Sequence, residues 1–255
     1  GAQAQAWPSK PLRLVVPFAP GGSSSIVART FAAEMEKGLG QSIVVENKGG
    51  GGGNIAMQEV ARADPDGYTM IIGHVGSLAM NPFMYEKLPY DVDRDLQAVV
   101  LMYYSPNLLA VTPSLPAKSA LELIDYAKKN PDQKLSFGSA GVGSAHHIAG
   151  ELLKQKTGLN MVHVPYKGGG PAIQDLVAGH IPISFGTTPA VLPQAQAGTI
   201  RIIALAETKR SPDMPQMPTI SETVPGVDTF TWVGVYAPAG TPKPIVDRVN
   251  AIVSE

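Results

Sequence analysis

The chain has no cysteine among its 255 residues. Thiol nucleophiles, disulfides and thiolate metal sites are excluded together. This suits an exported protein without disulfides and equally a cytosolic one, so it leaves the compartment open. There is no excess of charge of either sign, the formal net charge being −1. Nucleic-acid binding normally presents a basic face to the phosphates, and no such partner is expected. No run approaches the ~18 consecutive apolar residues of a membrane-crossing helix, so the chain is not itself membrane-spanning. With 44% apolar and 16% charged residues, composition favours a packed core over disorder.

Catalytic signatures are missing too. There is no G-x-x-x-x-G-K-[ST]; the glycine run 49–53 leads into Asn54 without a P-loop lysine. No serine sits in G-x-S-x-G or S-x-x-K, and there is no H-E-x-x-H. His146 and His147 are adjacent, so on a helix they point about 100° apart and share a metal poorly. They read as one ring facing a ligand and one facing solvent. His147 and Glu151 make a two-ligand face with no third ligand visible, fewer than zinc sites need. Neither metal nor cofactor is expected.

What the sequence does contain is one device used three times. A β-like run breaks into glycines and small hydroxyls, then enters a helix-like stretch. The places are 14–25 (Leu-Val-Val-Pro-Phe-Ala-Pro-Gly-Gly-Ser-Ser-Ser), 136–144 (Ser-Phe-Gly-Ser-Ala-Gly-Val-Gly-Ser) and 162–171 (Val-His-Val-Pro-Tyr-Lys-Gly-Gly-Gly-Pro). Glycine lets backbone N–H groups turn outward without steric penalty. A helix start leaves its first N–H groups unpaired and carries partial positive charge. Such a loop is a ready seat for a carboxylate or phosphate. Plain turn geometry explains any one of them. Three, each between strand and helix, fit the rule that open α/β sheets bind ligands at the carboxyl ends of their strands. The glycines of 49–53 fit ligand wrapping and close packing equally well. Lys167 suits an anionic ligand or solvent, and Phe18 a ligand's apolar body or the core. Trp7 and Trp232 read as packing residues.

Strand-like runs at 12–16, 43–46 and 68–73 alternate with helix-like stretches at 26–39 and 54–63. In the first helix Ile26, Thr30, Phe31, Met35 and Leu39 keep roughly helical spacing. A second alternation follows, with strands at 135–138, 161–164, 181–185 and 200–206 and helices at 121–129, 145–157 and 172–178. Regular βαβα order predicts α/β units with parallel strands. Two such sets predict two lobes: 1–105 plus 231–255, and 106–230. The passages 99–111 and 231–238 are apolar and extended, as two hinge crossovers would be. The first residues, Gly1-Ala2-Gln3-Ala4-Gln5-Ala6, fit a stub left by signal cleavage and fit an ordinary N-terminus as well.

With these loops in view, the chain resembles the extracytoplasmic solute receptors of tripartite tricarboxylate transport systems, the Bug family. The likeness spans nearly all of it. It is carried by Trp7-Pro-Ser-Lys-Pro-Leu-Arg, Val16-Pro-Phe-Ala-Pro-Gly-Gly22, Val44-Val-Glu-Asn-Lys followed by the glycine run to Asn54, and Pro65-Asp-Gly-Tyr-Thr69. Asn81-Pro82, Leu88-Pro-Tyr-Asp91, Tyr126-Ala-Lys-Lys-Asn-Pro131, Gly138-Ser-Ala-Gly-Val-Gly-Ser144, Val162-His-Val-Pro-Tyr-Lys-Gly168, the stretch 212–219 and Tyr236-Ala-Pro-Ala-Gly-Thr-Pro242 continue it. Each is short; the ordered set is specific.

The resemblance implies a two-lobed periplasmic binding protein, type 2-like, closing as a Venus flytrap on a central ligand cleft. It implies a monomer, a periplasmic location with the signal peptide removed, and membrane transporter subunits as partners. The implied ligand is a small carboxylate gripped by backbone amides and hydroxyls. Implied first-lobe contacts are Phe18, Gly22, Ser23, Ser24 and Ser25, joined by Gly76 and Ser77. Second-lobe contacts would be Ser139, Ala140, Gly143, Ser144, Tyr166, Lys167, Gly168 and Thr187. Three departures are informative. Ser25 and Gly186 stand where many members carry Asp, which points to a ligand with one or two carboxylates and no amine. His146 stands where Gly is usual, so a cleft-facing histidine, His147 included, could reach a second carboxylate. Phe18 and Tyr166 permit an aromatic dicarboxylate without demanding one. Members usually continue past Glu255, so part of the first lobe is expected beyond it. The rival reading is an enzyme acting on a small anion with His147 as base.

Overall fold

The computed structural model describes residues 6–255; segment 1–5 of the expected export stub lies outside the described residues. In chain order the elements are β1 (Leu12–Val16), α1 (Ser23–Leu39), β2 (Ile43–Asn47), α2 (Asn54–Ala61), β3 (Thr69–His74), α3 (Asn81–Met84), α4 (Val92–Asp95) and β4 (Leu96–Val111). Next come α5 (Ala120–Lys129), β5 (Leu135–Ser139), α6 (Ala145–Thr157), β6 (Met161–Pro165), α7 (Gly169–Ala178) and β7 (Ile183–Thr187). The chain continues through α8 (Thr188–Gln196), β8 (Arg201–Leu205), β9 (Phe230–Pro238) and α9 (Lys243–Ser254).

These elements fall into two compact units. The first takes the residues up to Ala19, Ser24–Tyr103 and Trp232–Glu255. Its strands lie in the order β2-β1-β3-β9-β4. β1 runs parallel to β2 and β3, and β9 antiparallel to β3. Leu14, Val15 and Val16 are almost wholly buried, as expected of a parallel strand covered on both faces. The buried stripe of α1 is Ala28, Ala32, Met35 and Leu39; of the residues expected on it, Ile26 and Thr30 are exposed and Phe31 is half-buried. The four positions follow helical spacing, and small alanines let the helix sit close to the sheet.

The second unit takes Pro20–Ser23 and Tyr104–Thr231. Its strand order is β4-β7-β5-β6, with β8 also on β4. β5 is parallel to β6 and β7, while β4 is antiparallel to β7 and β8. Side chains alternate along a strand, so Leu109 and Val111 enter one core with Leu123, Phe137 and Leu153. Leu108 and Ala110 enter the other, with Ile173, Leu176 and Val191. Gly150 of α6 lets the Phe137 ring lie against the helix backbone; a Cβ there would overlap the ring.

Several boundaries and elements differ from the sequence expectation. α7 starts at Gly169, because Pro171 is tolerated inside a first turn that needs no N–H from it. β7 runs 183–187, with Ile181 buried just before it. No pattern announces α8, which carries one proline in its first turn and Pro193 inside.

Candidate ligand-binding site

The parallel strands β5, β6 and β7 of the second unit end in the loops that open α6, α7 and α8. This is the carboxyl edge where α/β sheets hold ligands.

The first loop is built by its own hydroxyls. Ser144 caps α6, its Oγ accepting from His147 N at 3.2 Å and donating to Gly141 O at 2.7 Å. Ser139 Oγ accepts from Gly141 N at 3.0 Å, donates to Gly141 O at 3.2 Å and lies 2.6 Å from His163 Nε2. The hydroxyls of Ser139 and Ser144 therefore hold the loop in shape. Gly143 takes φ 84, which favours glycine. Its amide donates to His147 Nδ1 at 3.2 Å.

His147 is thus engaged within the loop. Its ring stacks on His163 at 3.9 Å between centroids, and its Nε2 lies 3.8 Å from Glu151. Desolvation pushes His147 below the ordinary imidazole value. Desolvation, with the neighbouring His147, pushes His163 down to about 4. The expectation that one of the adjacent pair faces solvent is corrected, since His147 is half-buried and His146 is buried. Neither ring nitrogen of His146 has a hydrogen-bond partner. Burial pushes His146 down to about 4. The sequence carried a signal for this: positions 146, 149, 150 and 153 share one helical stripe, and all are buried.

The second loop leads into α7. Gly168 stands before it at φ 142, and no side chain caps the helix. The amides of Gly169 and Gly170 make no hydrogen bond among the described residues. Tyr166 turns its hydroxyl to Asp175 Oδ2 at 2.6 Å, and Lys167 is exposed. Gly22 packs on this helix start; a Cβ on it would lie 3.0 Å from Gly170 N.

At the third loop, Ser23 Oγ accepts from Ala190 N at 3.2 Å, in the first turn of α8, and from Thr187 Oγ1 at 2.5 Å. Gly22 and Ser23, expected among first-lobe contacts, therefore belong with the second unit. Ser23 serves there as the hydroxyl at the start of α8, which the side chain of Thr187 does not cap.

In the first unit Phe18 is buried, with its ring 4.5 Å from that of His74. Its carbonyl accepts from Asn47 Nδ2 at 3.0 Å, and Ser25 Oγ donates to Asn47 Oδ1 at 3.4 Å. Ser24 is half-buried. After β3, Gly76 N donates to His74 Nδ1 at 3.1 Å, and Ser77 Oγ donates to His74 O at 3.2 Å. Tyr90 and Asn81 secure this loop: Tyr90 OH donates to Ser77 O at 2.6 Å, and Asn81 Nδ2 donates to Asn54 Oδ1 at 2.7 Å. Asn47, His74, Asn81 and Tyr90 were not among the expected site residues. Asn47, Asn81 and Tyr90 lie in short motifs of the family resemblance, the one signal that could have marked them.

No cluster of three or more His, Asp or Glu able to hold a metal occurs among the described residues. No helix among them is long and apolar enough to cross a membrane.

Comparison with known proteins gives a consistent picture. A family model described as "Tripartite tricarboxylate transporter family receptor" matches residues 27–254. The chain is 38% identical over 252 residues to a UPF0065 protein in the tcbD-tcbE intergenic region of Pseudomonas sp. (strain P51), covering 98% of this chain and 74% of that one. It is similar to the solved structure of R. palustris Rpa4515 with adipate, at TM-score 0.93 and 42% identity over 97% of this chain and 83% of that one. MatC (Rpa3494) from Rhodopseudomonas palustris with bound malate follows at TM-score 0.90 and 37% identity, with 97% and 84% covered. The periplasmic binding protein BugD is similar at TM-score 0.91 and 36% identity, with 97% and 82% covered. The α/β fold is that of periplasmic binding proteins.

Proposed function

This chain belongs to the family of tripartite tricarboxylate transporter receptors, and from that premise we propose that it captures a small dicarboxylate lacking an amino group and delivers it to the membrane subunits of its transporter. It is a carboxylate-binding receptor, not an enzyme. We place it in the periplasm, as an exported protein freed of its signal peptide.

The observation that carries the choice of ligand is a face of unpaired donors without acids. The amides of Gly169 and Gly170 are unpaired at the start of α7; Gly169 is half-buried, and Gly170 is buried against Gly22. The loops 20–25, 139–144 and 166–170 contain no Asp or Glu. An ammonium group would find no carboxylate within these loops, the neighbouring Asp175 and Glu151 being engaged by Tyr166 and Lys154, whereas a carboxylate meets backbone N–H groups and a helix's positive end. Gly186 supports the same choice. A Cβ there would lie 2.5 Å from Val191 Cγ2, so the packing has closed around glycine and leaves no room for an acidic side chain. Adipate and malate, seen in two of the similar structures, are both dicarboxylates without an amine.

We assign ligand contact in the second unit to the loop at Ala140 and to the start of α7 at Gly168 and Gly169, the Gly143 amide being taken by His147 Nδ1. In the first unit we assign it to Ser24, which is half-buried, the Gly76 amide being taken by His74 Nδ1. A thermal-shift screen tests the proposal, since a ligand that binds only the folded form raises the melting temperature by mass action. Adipate, malate and shorter dicarboxylates should raise it; glutamate should not. A shift with glutamate alone, or with no dicarboxylate, would refute the reading.

A further inference from the structure

Among the described residues, His146 stands out as having both ring nitrogens buried and unpartnered. It is 8% exposed. Buried polar groups are rarely left in that state, and those that are call for an explanation. Its position supplies one. His146 lies in the first turn of α6. Its atom nearest a Cβ built on Gly169 is Cε1, at 3.9 Å. Cε1 sits between the two nitrogens, so the polar edge of the ring faces the start of α7. That start has no side-chain cap, and its amides at Gly169 and Gly170 are unpaired. Pro171, the next residue, has no N–H to add. The polar edge of an unpartnered imidazole is thus turned toward the uncapped start of α7, within one unit.

The protonation state fits an anion. Burial pushes His146 down to about 4, so the ring is neutral at neutral pH and offers one N–H and one lone pair. The positive ends of α6 and α7 favour the neutral form further. A carboxylate placed there accepts from the imidazole N–H and from the α7 amides together, and no charged side chain is needed.

We propose that His146 donates a hydrogen bond to a carboxylate of the ligand seated at the start of α7, and so is a specificity-determining residue of this receptor. This rests on the receptor reading above.

The test uses the whole chain and isothermal titration with adipate, malate, succinate and glutarate. The first comparison is wild type with His146→Phe, which keeps the ring's bulk and removes its nitrogens. Affinity for the dicarboxylate the wild type binds should fall by about ten- to a hundredfold, the worth of a hydrogen bond to a charged group. His146→Gln, which restores a side-chain N–H, should recover part of the loss. As a readout independent of folding, imidazole ¹⁵N spectra of the wild type should show the His146 nitrogens shifting on titration. A His146→Phe variant that binds as tightly as wild type, or His146 nitrogens unmoved by saturating ligand, would overturn the proposal and leave the receptor reading standing. A wild type that binds none of the four would overturn both.

Discussion

Replacing Ser144 by alanine separates what the first loop of the second unit does for stability from what it does for binding. The Ser144 hydroxyl, nearly buried, accepts from His147 N and donates to Gly141 O. Losing a serine N-cap costs about 1 kcal/mol, with a usual span of roughly 0.5–2. Gly141 O also loses a donor but keeps Ser144 N at 3.2 Å and Ser139 Oγ at 3.2 Å. That loss adds roughly 0.5–1 kcal/mol. The sum is about 2 kcal/mol, or about 4–8 °C in melting temperature for a chain of this size. The first turn of α6, with His146 in it, loosens as its cap is lost, so affinity for a dicarboxylate should fall as well. Ser144→Asp splits the two effects. Aspartate caps as well as serine, so the melting temperature should return to near the wild-type value. Its charge would stand beside the ligand's own, so binding should stay lost. Circular-dichroism melts and calorimetric titration with adipate and malate give both numbers. An alanine variant melting within about 1 °C of wild type would refute the capping estimate. An aspartate variant binding like wild type would refute the placement of the carboxylate.

Gly150→Ala tests the packing of α6. Alanine is favoured over glycine in a helix by roughly 0.5–1 kcal/mol, but the new Cβ would overlap the Phe137 ring. Overpacking should win, destabilising the protein by about 1–3 kcal/mol in urea titrations, and a gain in stability would contradict it. Gly22→Val drives a branched side chain toward Gly170 N, 3.0 Å from where its Cβ would lie; dicarboxylate affinity should be lost, and calorimetry with unchanged affinity would refute this. The buried histidines predict acid lability. His146 and His163 are both pushed down to about 4, against about 6.5 when unfolded. Between those values the unfolded chain binds more protons, so stability falls as pH drops through the window. His146 alone contributes roughly 3 kcal/mol of that fall. Melts between pH 6.5 and 5 should show the decline, shallower in His146→Phe; a flat profile would count against burial as the cause.

Much of the fold was legible because period and punctuation agreed. The aliphatic run at 12–16 is β1, and the stretch 145–157, with Ser144 before it and Gly158 after, is α6. Where prolines stood inside helices, legibility failed. α8 holds Pro193 inside it, so local propensity spoke against a helix that packing of Val191 stabilises, whereas Pro244 sits in the first turn of α9, where proline is tolerated. The candidate site was legible as loops and not as contacts. Glycines and serines mark where the chain turns, but a sequence does not say which hydroxyls are taken by the loop itself. Ser139 and Ser144 turn out to shape their loop, and Ser23 to serve α8. His146 was noticed as a departure, yet only burial and its unpartnered nitrogens set it apart from His147.

The strand β9 has a consequence for how the molecule is made. It pairs with β3, Ile71 facing Tyr236, within the first unit. Everything from Tyr104 to Thr231 belongs to the second unit and leaves the ribosome between those two partners. The half of the protein synthesised first is therefore completed last. Until its missing strand arrives, β3 offers an unpaired margin of the kind that invites wrong partners. Secretion of the still-unfolded polypeptide would bypass that exposed interval, because both strands would then reach the folding compartment within one passage.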